Sequence, residues 1–308
     1  MDFEIPFEKI NKILRKRKIK KALIQLPEGL KPIFQEIKKN LVCECIFSGD
    51  SCFGACDLRF SKDCDATIHI GHNSFGFEEL ENKKTIFCEV LAKNVSFSRL
   101  SSSNLPKKVG LLSSLDFLEY LPKVRRILEE KGIKCYVGGQ ILGCNWINAL
   151  KIKDKVDCFL VLSSGIFHAL GVQYATKKPV FNYNPFSERL EKIEKDFEKE
   201  KWTRIALGKK ARSFGIVLSL KPGQYKIKVA EKLLDMIKEK GSEAELVLLD
   251  DIFPEKLDYL PFDAFVITAC PRIVIDDWKN YQKVIILPDE LNIILGDKYE
   301  QKSKEETK

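Results

Sequence analysis

The chain has 308 residues, of which 44% are hydrophobic and 31% are charged, and its formal net charge is +8. These values are typical of a globular protein with room for two or three domains. The sequence contains no run of roughly 18 apolar residues, and its first residues lack a basic region followed by an apolar stretch. We therefore expect neither a transmembrane helix nor a signal peptide, and we expect a cytoplasmic protein.

The basic charge is interpreted as a lysine-rich surface. The strongest basic run, Lys12–Lys21, also contains Ile and Leu and suits a surface helix, with an acidic partner as the alternative. We expect no direct binding of nucleic acid and no membrane association. Residues Lys298–Lys308 are almost all polar and are predicted to form a frayed tail.

Three segments of the chain repeat one order of predicted elements, which indicates three related domains over residues 1–105, 106–200 and 201–308. Each segment predicts a strand, a helix, a second strand, a strand that begins with Asp, and a closing strand. In the first segment these are Ala22–Leu26, Lys31–Asn40, Leu41–Phe47, Asp65–His72 and Thr85–Val90. In the second they are Val109–Leu112, Leu121–Lys131, Cys135–Val137, Asp157–Gly165 and Pro179–Tyr183. In the third they are Phe214–Leu218, Lys226–Lys240, Glu245–Leu249, Asp263–Pro271 and Val284–Pro288.

The predicted strands are near-continuous apolar runs, which is typical of parallel sheets with both faces covered. Right-handed crossovers place the helices on those faces. We therefore predict an α/β fold of three similar βαβ-type domains, with mostly parallel four-stranded sheets around a pseudo-threefold centre. Ligands of such sheets bind at the carboxyl ends of the strands.

Three cysteines, Cys56, Cys144 and Cys270, each lie in a short loop just past a predicted strand, one in each segment. Gly, Ala, Asn or Pro flank them, whereas core cysteines usually lie within apolar strands. Three thiolates can hold an iron–sulfur cube and leave one iron open for a substrate. The equivalence is imperfect, because Cys56 and Cys144 follow the second strand of their units and Cys270 follows the third. Burial as small hydrophobic side chains is the alternative.

The other cysteines are assigned structural roles, and for Cys52 and Cys64 a functional role is the alternative. Five of them fall on predicted strands: Cys43, Cys45, Cys88, Cys135 and Cys158. Cys52 and Cys56 form a C-x-x-x-C pair, but Arg59 stands where the loop of conventional S-adenosylmethionine radical enzymes has its third cysteine. Ten cysteines in a cytoplasmic chain do not indicate a disulfide framework, because that compartment keeps thiols reduced.

The chain has only three histidines, His69, His72 and His168, and all of them follow or end predicted strands. We interpret them as polar lining of a pocket, with metal ligation as the alternative. One of His69 and His72 is expected to point into the interior, because they lie three residues apart across a strand end.

Several motifs together resemble those of one known family. Gly49–Asp57, with Gln25–Leu30 upstream and His69–His72 downstream, resembles the archaeal 2-(3-amino-3-carboxypropyl)histidine synthases, the iron–sulfur enzymes of diphthamide biosynthesis. The segments Gly139–Cys144, Gly165–Gly171 and Ala269–Ile273 fit the same family. The resemblance spans all three predicted units.

The resemblance implies that Cys56, Cys144 and Cys270 hold a [4Fe–4S] cluster and are in that sense the catalytic residues. It further implies a transferase that cleaves the sulfur–Cγ bond of S-adenosylmethionine reductively and forms a 3-amino-3-carboxypropyl radical and methylthioadenosine. The radical adds to the imidazole C2 of a histidine in translation elongation factor 2, in the first step of diphthamide biosynthesis. The family also implies a homodimer and an electron donor, which the sequence does not identify.

Loops at the predicted strand ends supply the candidate contacts to S-adenosylmethionine. They are Glu28, Gly29, Asn73, Ser74, Ser163, Ser164, Gly165 and His168.

Two other functions are alternatives for this sequence. Quinolinate synthase resembles the same architecture and is a [4Fe–4S] enzyme that condenses and dehydrates small acids without a radical. A non-catalytic three-domain binding protein, or an inactive paralogue, is the second alternative. The paired Gly-Asp-x-Cys and Gly-His motifs favour the diphthamide hypothesis over the first, and the presence of all three loop cysteines argues against the second.

Overall fold

The computed structural model describes residues 2–102 and 104–296. The tail predicted at Lys298–Lys308 lies outside these residues. The chain divides into two structural units, one that extends to Lys195 and one that begins at Asp196. Over the described residues, none of the helices is both long enough and apolar enough to cross a lipid bilayer.

The first part of the first unit forms a four-stranded, fully parallel sheet. Its elements in chain order are β1 (Phe3–Glu4), α1 (Phe7–Arg17), β2 (Lys21–Gln25), α2 (Phe34–Asn40), β3 (Glu44–Phe47), β4 (Ala66–Ile70), β5 (Thr85–Cys88) and β6 (Leu91–Ala92). The sheet has the order β3-β2-β4-β5, and β1 and β6 form a separate antiparallel pair. All five residues of β4 are buried, which explains the continuous apolar pattern of this central strand.

The second part of the first unit repeats this arrangement and adds one strand. Its elements are β7 (Lys108–Ser113), α3 (Leu121–Glu129), β8 (Lys134–Gln140), α4 (Ile147–Leu150), β9 (Cys158–Leu162), α5 (Phe167–Thr176), β10 (Val180–Asn184) and β11 (Arg189–Lys192). The order is β11-β10-β9-β7-β8, and only β11 runs antiparallel to its neighbour. The predicted four-stranded sheet therefore has five strands here, because a short hairpin after β10 leads into β11, which pairs with β10 at the edge of the sheet.

The second unit carries the third sheet. Its elements are α6 (Phe197–Gly208), β12 (Ser213–Ser219), α7 (Ile227–Glu239), β13 (Glu243–Leu249), α8 (Pro254–Asp258), β14 (Ala264–Ile267), α9 (Pro271–Asp277), β15 (Val284–Ile286) and α10 (Pro288–Ile294). All four strands are parallel, in the order β13-β12-β14-β15. The helix α7 buries Ala230, Leu233 and Ile237, which lie on one face at helical spacing.

The α/β fold of repeated, mostly parallel sheets is confirmed, with some corrections to the predicted bounds. The first predicted helix, Lys31–Asn40, is a 3₁₀ helix over Glu28–Ile33 followed by α2. Pro32 lies inside the 3₁₀ turn and has no backbone N–H to donate, which favours the break. Cys43 lies just before β3 and not within it. The division into three domains stays a prediction.

The amino ends of the three sheets share one device. Asp65, Asp157 and Asp263 each precede a central strand, and each carboxylate accepts a hydrogen bond from a backbone N–H at the start of the neighbouring strand, at 2.9–3.1 Å. These hydrogen bonds hold the pKa of Asp65 and of Asp263 below its ordinary value. The Asp that marks each repeat in the sequence is therefore a structural clamp.

Candidate functional site

The carboxyl end of the first sheet gathers polar side chains from two central strands. Gln25 is the last residue of β2, and it pairs in register with His69 of β4. Both side chains are fully buried, although each lies in an otherwise apolar strand. The loop that follows β3 carries Cys52 and Cys56 to the same end of this sheet, since the carboxyl ends of parallel strands share one edge.

The amide group of Gln25 links the cysteine loop to β4. Its Nε2 donates to the backbone oxygen of Asp57 at 3.0 Å, and its Oε1 accepts from the backbone N–H of Arg59 at 2.8 Å. The same Oε1 lies 3.2 Å from Nδ1 of His69. Because an amide oxygen only accepts, the proton of neutral His69 is on Nδ1 and the lone pair is on Nε2.

The Nε2 lone pair of His69 faces two groups that can donate a hydrogen bond to it, one from His72 and one from Cys52. Nε2 of His69 lies 3.0 Å from Nδ1 of His72 and 3.7 Å from Sγ of Cys52. Burial lowers the pKa of His69 to about 3, with a smaller contribution from His72, and burial lowers the pKa of His72 to about 4. Both imidazoles are therefore neutral at neutral pH. His69 is the histidine that points into the interior, as expected for one of this pair.

Gly71 makes the turn between the two histidines possible. Its φ angle is +94°, and a β-carbon there would lie 3.0 Å from the ring of Pro27. A side chain at this position is excluded both by the left-handed backbone and by the close approach. The glycine thus lets the chain reverse so that His72 returns to His69.

A buried charge lies directly after Cys56. Cys56 belongs to a 3₁₀ turn over Ala55–Asp57, and Asp57 is fully buried. One carboxylate oxygen of Asp57 lies 3.8 Å from Nε of Arg59, and the other accepts from the backbone N–H of Phe53 at 3.5 Å. A buried carboxylate needs polar partners, and these two, Phe53 and Arg59, lie on either side of Cys56 in the same loop.

The loop of the second cysteine is docked on the loop that follows β4. Asn73 and Gln140 exchange two amide hydrogen bonds, each 2.9 Å long, and Asn73 also donates to Glu89 at 2.9 Å. A β-carbon on Gly76 would lie 2.3 Å from the side-chain nitrogen of Asn145, the residue after Cys144. The segment that carries Cys144 is therefore held by direct contacts against the loop that follows β4 of the first sheet.

The backbone before Cys144 packs against α5. A β-carbon on Gly143 would lie 2.0 Å from the ring of Phe167, and the carbonyl oxygen of Gly143 accepts from the indole of Trp146 at 2.8 Å. The ring of His168 lies edge to face with Phe167 at 5.5 Å. A larger residue at position 143 would displace the Phe167 ring, which is a physical reason for the glycine in the Leu-Gly-Cys sequence.

The remaining residues predicted to contact S-adenosylmethionine lie near the carboxyl ends of their strands, but three of them are not in loops. Glu28 and Gly29 belong to the 3₁₀ helix Glu28–Ile33, and His168 belongs to α5. Glu28 pairs with Lys31 at 2.7 Å, and Lys31 also donates to the backbone oxygens of Gly49 and Asp50. Ser74 donates to Glu81. Glu28, Gly29, Ser164 and Gly165 are exposed, whereas Ser163 is buried. Their contact with a cofactor stays a prediction.

In the second unit, Cys270 follows β14 and occupies the position immediately before α9, without a capping hydrogen bond from its side chain. Its backbone N–H donates to the side-chain oxygen of Gln224 at 3.3 Å. Nearby at the same sheet edge, Lys221 is only 5% exposed and pairs with Asp251 at 2.7 Å. The third loop cysteine thus lies at a polar strand end, as the other two do.

Three of the ten cysteines are strand residues whose thiols stay protonated. All ten are thiols. Cys88, Cys135 and Cys158 lie on strands, and burial raises the pKa of Cys88 and of Cys158 to about 12 and that of Cys135 to about 11. Such thiols stay protonated at neutral pH and are poor metal ligands. The structural assignment of these three agrees with their positions.

The residues that sequence reasoning missed are amides. Gln25 and Gln140 were not singled out as site residues, although each organises a cysteine loop. The available signal was a glutamine inside the apolar run Ala22–Leu26, because a buried polar side chain needs a partner.

These features define an α/β protein of repeated parallel sheets whose cysteine-bearing loops lie at the carboxyl ends of the strands. The model of the diphthamide synthesis protein family matches residues 26–307. The chain belongs to this family.

The relatives carry a consistent name. The chain is 33% identical to a Pyrococcus horikoshii protein named 2-(3-amino-3-carboxypropyl)histidine synthase, over 95% of this chain and 91% of the relative. It is 30% identical to the Methanocaldococcus jannaschii protein of the same name, over 92% and 87%. The prediction of a transferase-type enzyme of this family is confirmed, and the family match favours it over the quinolinate synthase and non-catalytic alternatives.

A solved relative supports both the fold and the metal class. The structure of Dph2 from Pyrococcus horikoshii with a 4Fe–4S cluster matches this chain with a TM-score of 0.81 at 31% identity, and the match covers 95% of this chain and 91% of that one. Within this chain, Cys56 and Cys144 of the first unit and Cys270 of the second unit are each thiols that follow a strand, and thiolates are the ligands of such clusters.

Proposed function

We propose that this protein transfers a 3-amino-3-carboxypropyl group from S-adenosylmethionine to the imidazole C2 of a histidine in translation elongation factor 2. This is the first step of diphthamide biosynthesis. The observation that carries the proposal is the family match over residues 26–307, together with relatives of that name that align over nearly the whole chain.

Cys56, Cys144 and Cys270 are the proposed ligands of a [4Fe–4S] cluster, one from each repeat. When bound, the cluster supplies the electron that cleaves the sulfur–Cγ bond, which gives methylthioadenosine and the 3-amino-3-carboxypropyl radical. Three thiolate ligands would leave one iron without a protein ligand, and S-adenosylmethionine bound there would be oriented for cleavage of one of its three carbon–sulfur bonds. Support comes from the position of each cysteine after a strand and from the solved relative with a cluster.

The chain's own side chains shape the surroundings of the first two ligands. Gln25 fixes the turn after Cys56 through the backbone of Asp57 and Arg59, and Gln140 fixes the segment before Cys144 through Asn73. The sheets behind these loops are apolar and buried, which limits the access of water to a reactive radical. We propose that Glu28, Gly29, Asn73, Ser74, Ser163, Ser164, Gly165 and His168 contribute to the binding of S-adenosylmethionine.

The proposal includes partners and a location. We propose a homodimer that receives electrons from a separate donor and acts on elongation factor 2 in the cytoplasm. The ten thiols support a reducing compartment.

The test is an oxygen-free incubation of the reconstituted protein with dithionite, carboxyl-labelled S-adenosylmethionine and purified archaeal elongation factor 2. We expect methylthioadenosine and label on the elongation factor. A matched elongation factor whose target histidine is replaced by alanine should receive no label. Absence of both products from cluster-loaded protein would contradict the proposed reaction, and methylthioadenosine with no transfer to the factor would contradict the proposed acceptor.

A further inference from the structure

A second group of potential metal ligands lies beside the first cysteine loop. We propose that Cys52, His69 and His72 bind one divalent ion of the zinc type, at a site separate from the cluster proposed at Cys56, Cys144 and Cys270. One ligand atom from each of these three residues lies within 4.8 Å of the other two. They are the only such group of three His, Cys, Asp or Glu residues in the parts of the chain that the structure describes.

The distances fit a tetrahedral ion. Sγ of Cys52 lies 3.7 Å from Nε2 of His69, and that nitrogen lies 3.0 Å from Nδ1 of His72. Zinc bonds of about 2.3 Å to sulfur and about 2.0–2.1 Å to nitrogen, at tetrahedral angles, separate S from N by about 3.6 Å and N from N by about 3.4 Å. The ligand atoms of Cys52 and His72 lie within 4.8 Å of each other, so that this pair has to approach no further than about 1 Å to reach the tetrahedral separation.

The hydrogen bonds around His69 prepare it as a ligand. Gln25 accepts the Nδ1 proton, and its own orientation is fixed by the backbone of Asp57 and Arg59. The Nε2 lone pair is thereby directed at Cys52 and His72. A second residue that holds the far nitrogen of a metal-binding imidazole is a regular feature of zinc sites.

The donor set selects the class of ion. A thiolate and two imidazoles suit zinc, and they disfavour magnesium and calcium, which prefer oxygen ligands. Three protein ligands leave a fourth tetrahedral position for water. Binding replaces the proton of the Cys52 thiol with the metal, and His72 shifts its proton from Nδ1 to Nε2, so one proton is released for each ion bound.

The fold, rather than the ion, already places these ligands. His69 is part of β4, Gly71 turns the chain back to His72, and Lys31 holds the carbonyl oxygens of Gly49 and Asp50 before Cys52. A bound ion would further restrain the short segment from Cys52 to Cys56. The site would thus stabilise the loop that carries the first proposed cluster ligand, which is a role beyond the proposed reaction.

The test measures metals in the full-length protein after its cluster has been loaded without oxygen. The protein is then saturated with zinc, desalted, and analysed by mass spectrometry for zinc and iron. We expect about one zinc per wild-type chain in addition to the cluster iron. The variants Cys52→Ser and His72→Gln should retain less than about a tenth of that zinc. Cys64→Ser changes a matched cysteine near the end of the same connection between β3 and β4, and it should retain all of the zinc.

A further variant tests the role of the glutamine. Gln25→Met keeps the volume but removes the acceptor for His69, and it should weaken zinc binding by about 10–100-fold while the capacity at saturation stays the same. Thermal unfolding of each variant shows whether it is folded, and His72→Gln, at a half-buried position, remains informative if Gln25→Met unfolds. The proposal is overturned if wild-type protein contains the cluster iron but no zinc. It is also overturned if both Cys52→Ser and His72→Gln retain the full zinc content. Zinc that is lost in Cys56→Ala instead would assign the ion to the cluster cysteines and overturn it equally.

Discussion

The two ends of the sheets differ in what repeats. At the amino ends, the same device recurs three times, because Asp65, Asp157 and Asp263 each accept backbone hydrogen bonds from the neighbouring strand. At the carboxyl ends, each repeat is different. The first sheet carries two histidines and a pair of cysteines, and the second carries a cysteine in a loop that contains glycines. The third carries a cysteine immediately before a helix.

The difference separates structure from chemistry. A clamp that joins two strands works in any copy of the fold and can therefore repeat unchanged. A site that assembles ligands from several loops needs a different contribution from each copy. The repeat pattern in the sequence thus reports the architecture, and departures from it point to the functional residues.

The largest expected effect concerns the loop cysteines at the carboxyl ends. Cys56→Ala, Cys144→Ala and Cys270→Ala should each abolish transfer of the 3-amino-3-carboxypropyl group, because each removes a proposed cluster ligand. The oxygen-free label-transfer assay measures this loss. Cys64→Ala is the control, since Cys64 lies in a loop of the first repeat and is only partly buried. Activity near the wild-type level in any one of the three variants would remove that cysteine from the ligand set.

The next effect is an exception to the division between structural amino ends and functional carboxyl ends of the sheets, because one buried side chain after a carboxyl end is structural. Glu290 follows β15 and is fully buried, where it pairs with Arg204 and accepts from the backbone N–H of Leu287 at 3.1 Å. Glu290→Ala leaves the guanidinium buried without its partner and should lower the free energy of unfolding by about 3–5 kcal/mol. Chemical denaturation measures this change. Asp289→Ala, which removes the neighbouring and more exposed ion pair to Lys201, should cost far less.

The third effect is a dependence of stability on pH that arises from His69 and His72. Their pKa values are lowered to about 3 and about 4, so the unfolded chain binds protons below the ordinary value of 6.5 while the folded chain does not. The free energy of unfolding of metal-free protein should therefore fall as the pH is lowered from 6.5 to 4, by up to about 1.4 kcal/mol per pH unit for each histidine. His72→Gln should make the dependence shallower. An equally steep dependence in this variant would contradict the burial of neutral His72.

The smallest effect concerns the clamps at the amino ends. Asp65→Asn and Asp263→Asn should each lower the midpoint of thermal unfolding slightly at pH 7, since a neutral amide is a weaker acceptor than a carboxylate. Because the folded pKa of each carboxyl is depressed, the difference from wild type is present above about pH 3.8 and shrinks as the pH falls through the folded value. A loss of label transfer in the folded variants would show that the clamps also serve the site.

Local patterns predicted most of the fold. Apolar runs such as Ala22–Leu26 gave the central strands, and the 3.6-residue spacing gave α7. The strand β11 was missed, because Arg189–Lys192 has no apolar pattern and forms only by pairing with β10. The helix predicted at Lys31–Asn40 is 3₁₀ in its first residues and α-helical from Phe34, because Pro32 lies in this turn and has no backbone N–H to donate.

Site residues could be predicted when their chemistry and local sequence are unusual. They could not be predicted when their role depends on contacts between distant parts of the chain. The loop cysteines stood out because thiols flanked by Gly, Ala or Pro are unusual in a core. The link from Gln25 to His69 was not visible, since the two are 44 residues apart and meet only through the pairing of β2 with β4. The contact between Asn73 and Gln140 depends in the same way on the docking of two loops.

The most direct test of the central claim is the iron and sulfide content of single-cysteine variants after reconstitution without oxygen. Wild-type protein and Cys64→Ala should each hold a complete four-iron cluster, whereas Cys56→Ala, Cys144→Ala and Cys270→Ala should each lose it or hold it in substoichiometric amounts. An intact cluster in all three of these variants would contradict the assignment of one ligand to each repeat.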